Sequence, residues 1–220
     1  MESKGWNWEK IKDERWDIPS EDVYYLAHRW KEQGKLKFLD LGCGVGRHAL
    51  FFLKQGFKVY AFDISESGLN ILREKAEREN LDMNIDLGDM LFLPYPSDFF
   101  DSILAYHVIY HTNKKGIKKV ISEIWRVLGE NSEVYLTFNS KESPSFKNPK
   151  HKRIDENTLI KMNDEEEGIL HYYVDENEVF DLLRKFKIIK MRYIKEIIPS
   201  SGFKYHVLAQ KVQTRFIEED

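Results

Sequence analysis

The stretch that most constrains the fold is residues 38–50, which read Phe-Leu-Asp-Leu-Gly-Cys-Gly-Val-Gly-Arg-His-Ala-Leu. The apolar run Lys37–Leu41 predicts a short buried strand, and a helix is predicted from Arg47. Glycines between the two are needed where the backbone takes positive φ or lies against a ligand with no Cβ in the way. A strand, a glycine-rich turn and a helix begin the βαβ unit that binds nucleotides. The next apolar run, Phe57–Asp63, ends in an acid and completes the pattern of a cradle for a nucleoside cofactor.

The spacing of the glycines separates two classes of cofactor. The dinucleotide fingerprint is G-x-G-x-x-G, whereas this turn reads G-x-G-x-G and has Arg47 in place of the third glycine. Asp40 would lie close to an anionic pyrophosphate, but it suits a cationic ligand such as S-adenosylmethionine, which carries a sulfonium and an ammonium group. A nicotinamide-dependent oxidoreductase is therefore disfavoured. The acid, the three glycines and the acid of the following strand together resemble the first motif of class I S-adenosylmethionine-dependent methyltransferases.

The resemblance implies S-adenosylmethionine as the methyl donor and S-adenosylhomocysteine as the product. The glycine turn and Asp40 would hold the methionine part, and Asp63 would accept the ribose hydroxyls at the end of its strand. In the family an acid after the third strand and the residue following it meet the adenine, and here these are Asp89 and Met90. The predicted cofactor site is made of Asp40, Gly42, Cys43, Gly44, Gly46, Asp63, Ile64, Asp89, Met90, Tyr106, His107 and Trp16.

The segment Tyr106–Thr112 follows the fourth predicted strand and borders the transferable methyl group in the family. His107 and His111 are the predicted catalytic residues, because a histidine can take a proton from a thiol, amine or hydroxyl near neutral pH. The alternative, a histidine that only packs at the strand end, stays open. A four-residue spacing on a helix also suits a pair of metal ligands, but no third ligand is evident, so no metal site is predicted.

Apolar runs alternate with helical periodicity over residues 35–213 and predict an α/β fold. Strands are predicted at Lys37–Leu41, Phe57–Asp63, Met83–Leu87, Phe99–Tyr106, Glu133–Asn139, Phe186–Ile198 and Phe203–Gln213. Helices are predicted to begin at Ser20, Arg47, Ser65, Asn113 and Asp175. The last two strands have a short link and should pair antiparallel. Together with the resemblance, this predicts a doubly wound, mostly parallel seven-stranded sheet with an antiparallel last strand, the Rossmann-like methyltransferase fold.

Two segments outside this repeat are predicted to cover the mouth of the site. Residues 1–34 would form a helical cap on a methyltransferase domain at 35–220, and residues 140–174 would form a lid insertion. Ligands of open α/β sheets bind beyond the carboxyl ends of the strands, where both segments can reach. Aromatic faces suit a sulfonium and a small acceptor, so Trp16 is predicted to contact the cofactor. The predicted substrate contacts are Tyr24, Tyr25, His171 and Tyr172, with plain packing as the alternative.

The composition limits which binding partners and which cellular compartment are expected for this protein. The 220 residues contain 34 Lys and Arg against 37 Asp and Glu, a net charge of −3 that gives no global footprint for nucleic acid. A single cysteine, Cys43, excludes an internal disulfide and fits a reducing cytoplasm. No apolar run reaches the length of a membrane span, and the charged N-terminus does not read as a signal peptide. A cytoplasmic protein with a small-molecule partner is expected, and its oligomeric state is left open.

The predicted function is methyl transfer from S-adenosylmethionine to a small-molecule acceptor. The turn Gly-Cys-Gly-Val-Gly-Arg-His and the later Asp-Ile-Ser resemble small-molecule methyltransferases of the tellurite-resistance type. One alternative is an RNA-modifying methyltransferase whose basic stretch, residues 147–153, contacts phosphate. Another is a regulatory protein that keeps the cofactor fold without turnover. Methyl transfer requires alignment more than a catalytic triad, because the cofactor carries the hard chemistry, so the sequence does not encode the acceptor atom.

Overall fold

The computed structural model describes residues 5–10, 13–162, 166–197 and 202–212. Two single-turn 3₁₀ helices, Trp8–Lys10 and Glu14–Trp16, precede the first α-helix. The α-helices are α1 (Glu21–Glu32), α2 (Arg47–Lys54), α3 (Glu66–Arg78), α4 (Lys114–Val127), α5 (Pro144–Lys147) and α6 (Glu176–Leu182). The strands are β1 (Lys37–Leu41), β2 (Lys58–Asp63), β3 (Asn84–Leu87), β4 (Phe100–Ala105), β5 (Leu128–Ser140), β6 (Lys152–Arg153), β7 (Thr158–Ile160), β8 (Leu170–Val174), β9 (Phe186–Glu196) and β10 (Gly202–Lys211). Within these described ranges, no helix is long and apolar enough to cross a membrane.

The main sheet confirms the predicted architecture. Strands β3, β2, β1, β4 and β5 lie side by side in that order, and each neighbouring pair is parallel. Strand β10 continues the sheet beyond β5 and is antiparallel to both β5 and β9. Because β1, β2, β3, β4 and β5 are all parallel, their carboxyl ends lie at the same edge of the sheet. That edge is where a nucleotide site is expected in an open α/β sheet.

The sheet has ten strands rather than the seven predicted, because residues 140–174 add three short ones. Strands β6, β7 and β8 pair antiparallel with one another, and β8 then pairs in parallel with the end of β5. Asn139 of β5 pairs with Tyr173 of β8 on one edge and with Lys204 of β10 on the other. β8 therefore pairs with the same edge of β5 as β4, but further along β5, beyond the end of β4. β8, Leu170–Val174, is thus the last part of the predicted lid insertion.

Element boundaries differ from the predictions by a few residues, and more at one strand. β5 begins at Leu128 rather than Glu133, because the chain passes from α4 into the strand without a separate loop. A register shift between Phe100 and Ser102 of β4 accommodates the extra length. The turn of the last hairpin is predicted around Pro199–Gly202, of which only Gly202 is described, as the first residue of β10. The predicted strand end at Gln213 lies outside the described residues.

Two apolar clusters cover the two faces of the sheet. One joins α1, α2 and α3 to the sheet and contains Trp30, Phe38 and Phe52 in stacked or tilted contact. The other joins α4 and α6 to the opposite face through residues such as Ile124 and Val179. A sheet covered by helices on both faces is the arrangement that parallel strands require, since each strand is buried on both sides.

Helix α1 is fastened to the sheet by a buried carboxylate. Glu133 of β5 has a side chain that is only 2% exposed, and it accepts two hydrogen bonds from the Arg29 guanidinium at 2.8 and 2.9 Å. Trp30 Nε1 donates to the same carboxylate at 3.0 Å, and Lys35 Nζ lies 3.1 Å from it. The four groups close the base of α1 against β5, which fixes where the N-terminal segment meets the sheet.

Candidate cofactor and acceptor site

A cavity of about 580 Å³ opens at the edge where the parallel strands end. Its walls come from the glycine turn after β1, from the loops after β2, β3 and β4, from the N-terminal segment and from the insertion between β5 and α6. This is the position at which open α/β sheets bind ligands. The predicted cofactor residues that line it are Gly42, Cys43, Gly44, Asp63, Ile64, Asp89, Met90, Tyr106, His107 and Trp16.

The glycine turn has a backbone that a side chain would disturb. Gly42, Gly44 and Gly46 have φ values of +74°, +54° and +85°. A Cβ on Gly42 would lie 2.2 Å from Cγ2 of Val108, and one on Gly46 would lie 2.2 Å from Cδ1 of Leu72. Gly46 is the N-cap of α2 and does not line the cavity. Gly46 therefore shapes the turn from outside the cavity. The ligand contact predicted for Gly46 is not supported.

Asp63 links the end of β2 to the glycine turn. Its Oδ2 accepts the N–H of Gly44 at 2.8 Å, and its Oδ1 accepts the N–H of Ser65 at 2.7 Å. Burial raises the pKa of the Asp63 carboxyl, and these two backbone N–H groups act in the opposite direction. Each carboxylate oxygen has a second lone pair, so this carboxylate can hold the turn and still accept a hydroxyl from a ligand in the cavity.

Asp40 lies beneath the cavity and does not line it, which departs from the predicted contact with the methionine part. The side chain is 1% exposed, and Oδ2 has no hydrogen-bond partner among the described residues. Burial raises the pKa of Asp40 to about 7, although the backbone N–H of Ala49 and the charge of Arg47 lower it. Side chains along a strand alternate between the two faces of the sheet, and the Asp40 side chain is buried outside the cavity lining.

Two residues after β3 occupy the part of the cavity where the family would place adenine. Asp89 Oδ1 accepts the N–H of Leu91 at 2.9 Å, which fixes the carboxylate at the cavity wall. Met90 is 8% exposed and belongs both to the core and to the cavity lining. Ile64, beside Asp63, also lines the cavity and is 36% exposed. An apolar slot with an acid at its end can hold a flat base that carries an amino group.

Cys43 lies within the glycine turn and is 6% exposed. Burial raises the pKa of its thiol well above the ordinary value, and the nearby carboxylates of Asp63 and Asp40 act in the same direction. The thiolate is the reactive form of cysteine, so this environment does not support a nucleophilic role. Cys43 instead fills a tight space beside the ligand.

His107 is held in a strained conformation at the end of β4. Its φ is +59°, a left-handed value that is uncommon outside glycine, and its backbone N–H donates to Thr137 Oγ1 at 2.7 Å. The Nε2 atom is buried without a hydrogen-bond partner among the described residues. Burial lowers the pKa of His107 well below its ordinary value, so the imidazole is neutral at pH 7. Strain and an unsatisfied buried atom at a cavity wall are typical of a functional position.

We expect the change His107→Asn to leave the free energy of unfolding unchanged or to raise it. Asparagine tolerates the left-handed conformation, and the substitution removes a buried nitrogen that has no partner. The matched change His206→Asn should lower that free energy by about 1–2 kcal/mol, because His206 Nδ1 lies 2.9 Å from both Asp22 and Tyr135. Urea denaturation of both variants measures the difference. Equal losses would mean that His107 is a packing residue.

The second predicted catalytic residue, His111, meets residues that its sequence spacing did not indicate. His111 Nε2 lies 3.6 Å from Glu166 Oε1, and His171 Nε2 lies 3.1 Å from the same oxygen. Burial lowers the pKa of His171 to about 4, although the Glu166 carboxylate acts in the opposite direction. The insertion therefore brings Glu166 and His171, two groups that could bind a metal ion, next to His111. The sequence spacing did not indicate these neighbours, and His107 is not among them.

Three tryptophans of the N-terminal segment form one wall of the cavity. The rings of Trp6, Trp8 and Trp16 lie with centroids 5.2–5.4 Å apart. The Arg47 guanidinium lies 4.9 Å from the Trp16 ring centroid and donates to the backbone carbonyls of Arg15 and Ile18. Arg47 directly follows the glycine turn, so its contacts attach the N-terminal segment to the part of the cavity that the glycine turn lines.

Three of the predicted substrate residues lie away from the cavity. Tyr24 and Tyr25 are 53% and 51% exposed on the outer face of α1. Tyr172 is 4% exposed and packs into the core, because the alternation of β8 turns its neighbours His171 and Tyr173 toward the cavity. The predicted contacts at Tyr24, Tyr25 and Tyr172 are therefore not supported, whereas His171 lines the cavity.

Several cavity residues escaped the sequence analysis. Trp6, Trp8, Tyr110, Lys161, Glu166, Tyr173 and Lys204 line the cavity without having been predicted. The tryptophans carried a signal, since three in the first sixteen residues exceed what an exposed tail needs. The residues from the insertion carried none, because no periodicity or spacing indicates which side of an irregular segment faces a ligand.

Comparison with known proteins agrees with this geometry. A family model described as a methyltransferase domain matches residues 38–131. The methyltransferase GfsG of Streptomyces halstedii is 36% identical over 95 residues, which cover 42% of this chain and 34% of that protein. The probable S-adenosyl-L-methionine-dependent methyltransferase TehB of Haemophilus influenzae is 31% identical over 88 residues, which cover 40% of this chain and 30% of that protein. The chain spans about a third of the length of the first curated relatives it matches.

Among solved structures, the 1,6-didemethyltoxoflavin-N1-methyltransferase of Burkholderia thailandensis superposes with a TM-score of 0.67 at 19% identity, covering 91% of this chain and 80% of that one. It holds 1,6-didemethyltoxoflavin and S-adenosylhomocysteine. At an identity this low, the structural similarity shows only that the two proteins share a fold. Residues 38–131, which contain the glycine turn, match a methyltransferase domain. The fold is that of S-adenosylmethionine-dependent methyltransferases, and the match to TehB agrees with the resemblance to the tellurite-resistance type.

Proposed function

We propose that this protein transfers a methyl group from S-adenosylmethionine to a small-molecule acceptor. The observation that carries the proposal is that the glycine turn, Asp63, Asp89 and His107 all line one cavity. A volume of about 580 Å³ falls in the range of roughly 300–1,000 Å³ that is typical for small ligands. When bound, the cofactor supplies an activated methyl group on a good leaving group.

The described residues can each take a defined part in binding. The Asp63 carboxylate, already fixed by Gly44 and Ser65, would accept ribose hydroxyls without having to reorganise. Met90 would pack on the base, and Asp89 would accept from its amino group. The tryptophan wall suits a sulfonium, because aromatic faces attract cations. Asp40 does not line the cavity, so it would influence the cofactor only through the glycine turn and not by direct contact.

His107 is the described residue best suited to receive the acceptor's proton. Its neutral imidazole has a buried Nε2 without a partner among the described residues, and a general base must lie within hydrogen-bond reach of the proton it removes. His111 lies in the same cavity but faces Glu166. We assign the proton to His107 for this reason.

The N-terminal segment and the insertion would close the cavity over the two ligands. Residues 5–8 are held at the loop after β2, where Ser65 Oγ donates to Trp6 O at 2.6 Å and Trp8 N–H donates to Ser67 Oγ at 3.1 Å. The insertion contributes Lys161, Glu166 and His171 to the lining of the same cavity. Excluding water from both sides would favour methyl transfer over hydrolysis.

The cavity favours a small acceptor over RNA. The basic residues at 147, 150, 152 and 153 are exposed and none of them lines the cavity. Arg153 instead packs on the Phe146 ring at 4.5 Å and donates to its backbone carbonyl at 3.1 Å. An RNA substrate would need a basic path that leads to the methyl group.

Calorimetry and a transfer assay test the proposal. We expect S-adenosylmethionine and S-adenosylhomocysteine to bind with one site per chain and NAD not to bind. With methyl-labelled cofactor, label should appear in a pool of small metabolites and not in a pool of RNA. Tighter binding of NAD would overturn the cofactor assignment. Cofactor binding with label transferred only to RNA, or to nothing in a broad metabolite pool, would overturn the small-molecule assignment.

A further inference from the structure

The loop after β4 and the insertion bring three potential metal ligands together at the wall of the cavity. His111, Glu166 and His171 each offer one ligand atom, and these atoms all lie within 4.8 Å of one another. Two of the separations are 3.6 Å, between His111 Nε2 and Glu166 Oε1, and 3.1 Å, between His171 Nε2 and that oxygen. Ligands held at about 2.1 Å in a tetrahedron are roughly 3.4 Å apart, so both separations match a shared ion.

The hydrogen bonds around His171 fix which of its nitrogens faces Glu166. His171 Nδ1 lies 3.1 Å from the backbone carbonyl oxygen of Ile169, which can only accept, so Nδ1 carries a proton. Nε2 then faces Glu166 Oε1 at 3.1 Å, and in the neutral ring its lone pair can bind the same cation as the carboxylate.

His111 faces the same carboxylate oxygen from the loop after β4, at a distance too long for a strong hydrogen bond. Its Nε2 atom is buried and has no hydrogen-bond partner among the described residues. Buried polar nitrogens are rarely left unpaired. The Trp6 ring stacks beside the imidazole, with centroids 6.2 Å apart, and shields that side from water. The unpaired atom faces the same Glu166 oxygen that His171 faces.

We propose that His111, Glu166 and His171 bind a divalent transition-metal ion of the Zn²⁺ class. Two imidazoles and one carboxylate are a common ligand set for such ions. The supporting contacts are also of the kind that metal ligands have: Ile169 O fixes the tautomer of His171, and Lys161 pairs with the other oxygen of Glu166. Three protein ligands leave a coordination position open.

The open position would face the space in which the acceptor is expected. All three ligands line the same cavity as His107 and Asp63. An acceptor with an oxygen, nitrogen or sulfur donor atom could therefore be held by the ion while it is aligned with the methyl group. This last step rests on the proposed function, whereas the metal site itself does not depend on methyl transfer.

The test is a metal titration of chelator-treated protein without cofactor. We expect one equivalent of Zn²⁺ to bind in calorimetry, and one equivalent of Co²⁺ to give visible d–d absorption of four- or five-coordinate geometry. His171→Ala and Glu166→Gln should each weaken Co²⁺ binding at least about 10-fold. The control His28→Ala removes an exposed histidine of α1 and should leave it unchanged. Circular dichroism checks each fold, and His111→Ala replaces His171→Ala if that buried change prevents folding.

Two outcomes would overturn the metal site. One is the lack of a one-equivalent binding phase, and the other is an equal loss of Co²⁺ binding in His28→Ala and in the cluster variants, which would indicate adventitious binding. S-adenosylhomocysteine binding to the wild-type protein is measured in a separate titration. A protein that binds the cofactor product but no metal would therefore refute the metal site and leave the methyltransferase proposal standing.

Discussion

Replacing Glu133 with alanine is expected to lower the free energy of unfolding by about 3–5 kcal/mol, the usual cost of removing one partner of a buried ion pair. The carboxylate is the shared partner of Arg29, Lys35 and Trp30 Nε1. Its loss leaves a guanidinium that is only 25% exposed without a counter-charge. Because Arg29 and Trp30 belong to α1, the N-terminal segment should loosen first.

Chemical denaturation measures this effect, and the change Glu32→Ala, at an exposed position of the same helix, provides the control. Burial alone would raise the pKa of Glu133, but hydrogen bonds and charge from Arg29 and Lys35 lower it below its ordinary value of 4.5. The stability it contributes should therefore be present above pH 4.5 and be lost as the pH falls further. A similar loss in both variants would show that the buried pairing is not what holds α1.

Replacing Asp63 with alanine is expected to weaken the binding of S-adenosylhomocysteine by about 2–3 kcal/mol, roughly 30- to 150-fold. The carboxylate would accept ribose hydroxyls and already accepts the N–H groups of Gly44 and Ser65. Its removal would leave both backbone donors unpaired and release the glycine turn. The binding loss should therefore combine a missing contact with a less ordered turn.

Asp63→Asn separates these two contributions. Asparagine keeps the shape but has only one acceptor oxygen, so it can satisfy one of the two backbone N–H groups, and an intermediate loss of affinity is expected. The change Asp82→Ala removes an exposed acid before β3 and controls for net charge. Calorimetry gives the dissociation constants, and an unchanged value for Asp63→Ala with the fold intact would remove Asp63 from the site.

Local signals predicted the elements around the cofactor well. The glycine turn requires positive φ at three positions, and the structure has it at Gly42, Gly44 and Gly46. Ser65 caps α3 by accepting from Gly68 N–H, and Asp175 with Glu178 forms a capping box at the predicted start of α6. Each of these features depends on residues within a few positions of one another. Short-range sterics and hydrogen bonding are therefore enough to determine them.

Local signals did not predict which residues face the part of the cavity where the acceptor is expected. Tyr172 and His171 are adjacent, and only the pairing of β8 with β5 decides that His171 lines the cavity while Tyr172 enters the core. Asp40 stands in the family motif, yet the alternation of β1 places its carboxylate beneath the turn. A prediction for either residue needs the register of the assembled sheet.

The sequence by itself determined the order of the five parallel strands β1–β5 and of the helices between them, the cofactor class and the turn that would hold the nucleoside. These features follow from the burial pattern and the glycine sterics of neighbouring residues. The tertiary structure alone decided that His111 meets Glu166 and His171, and that the three N-terminal tryptophans form a wall of the same cavity. These residues come from loops that are distant in the chain. Loops meet where the strands end, and that position is set by packing of the whole sheet rather than by any local pattern.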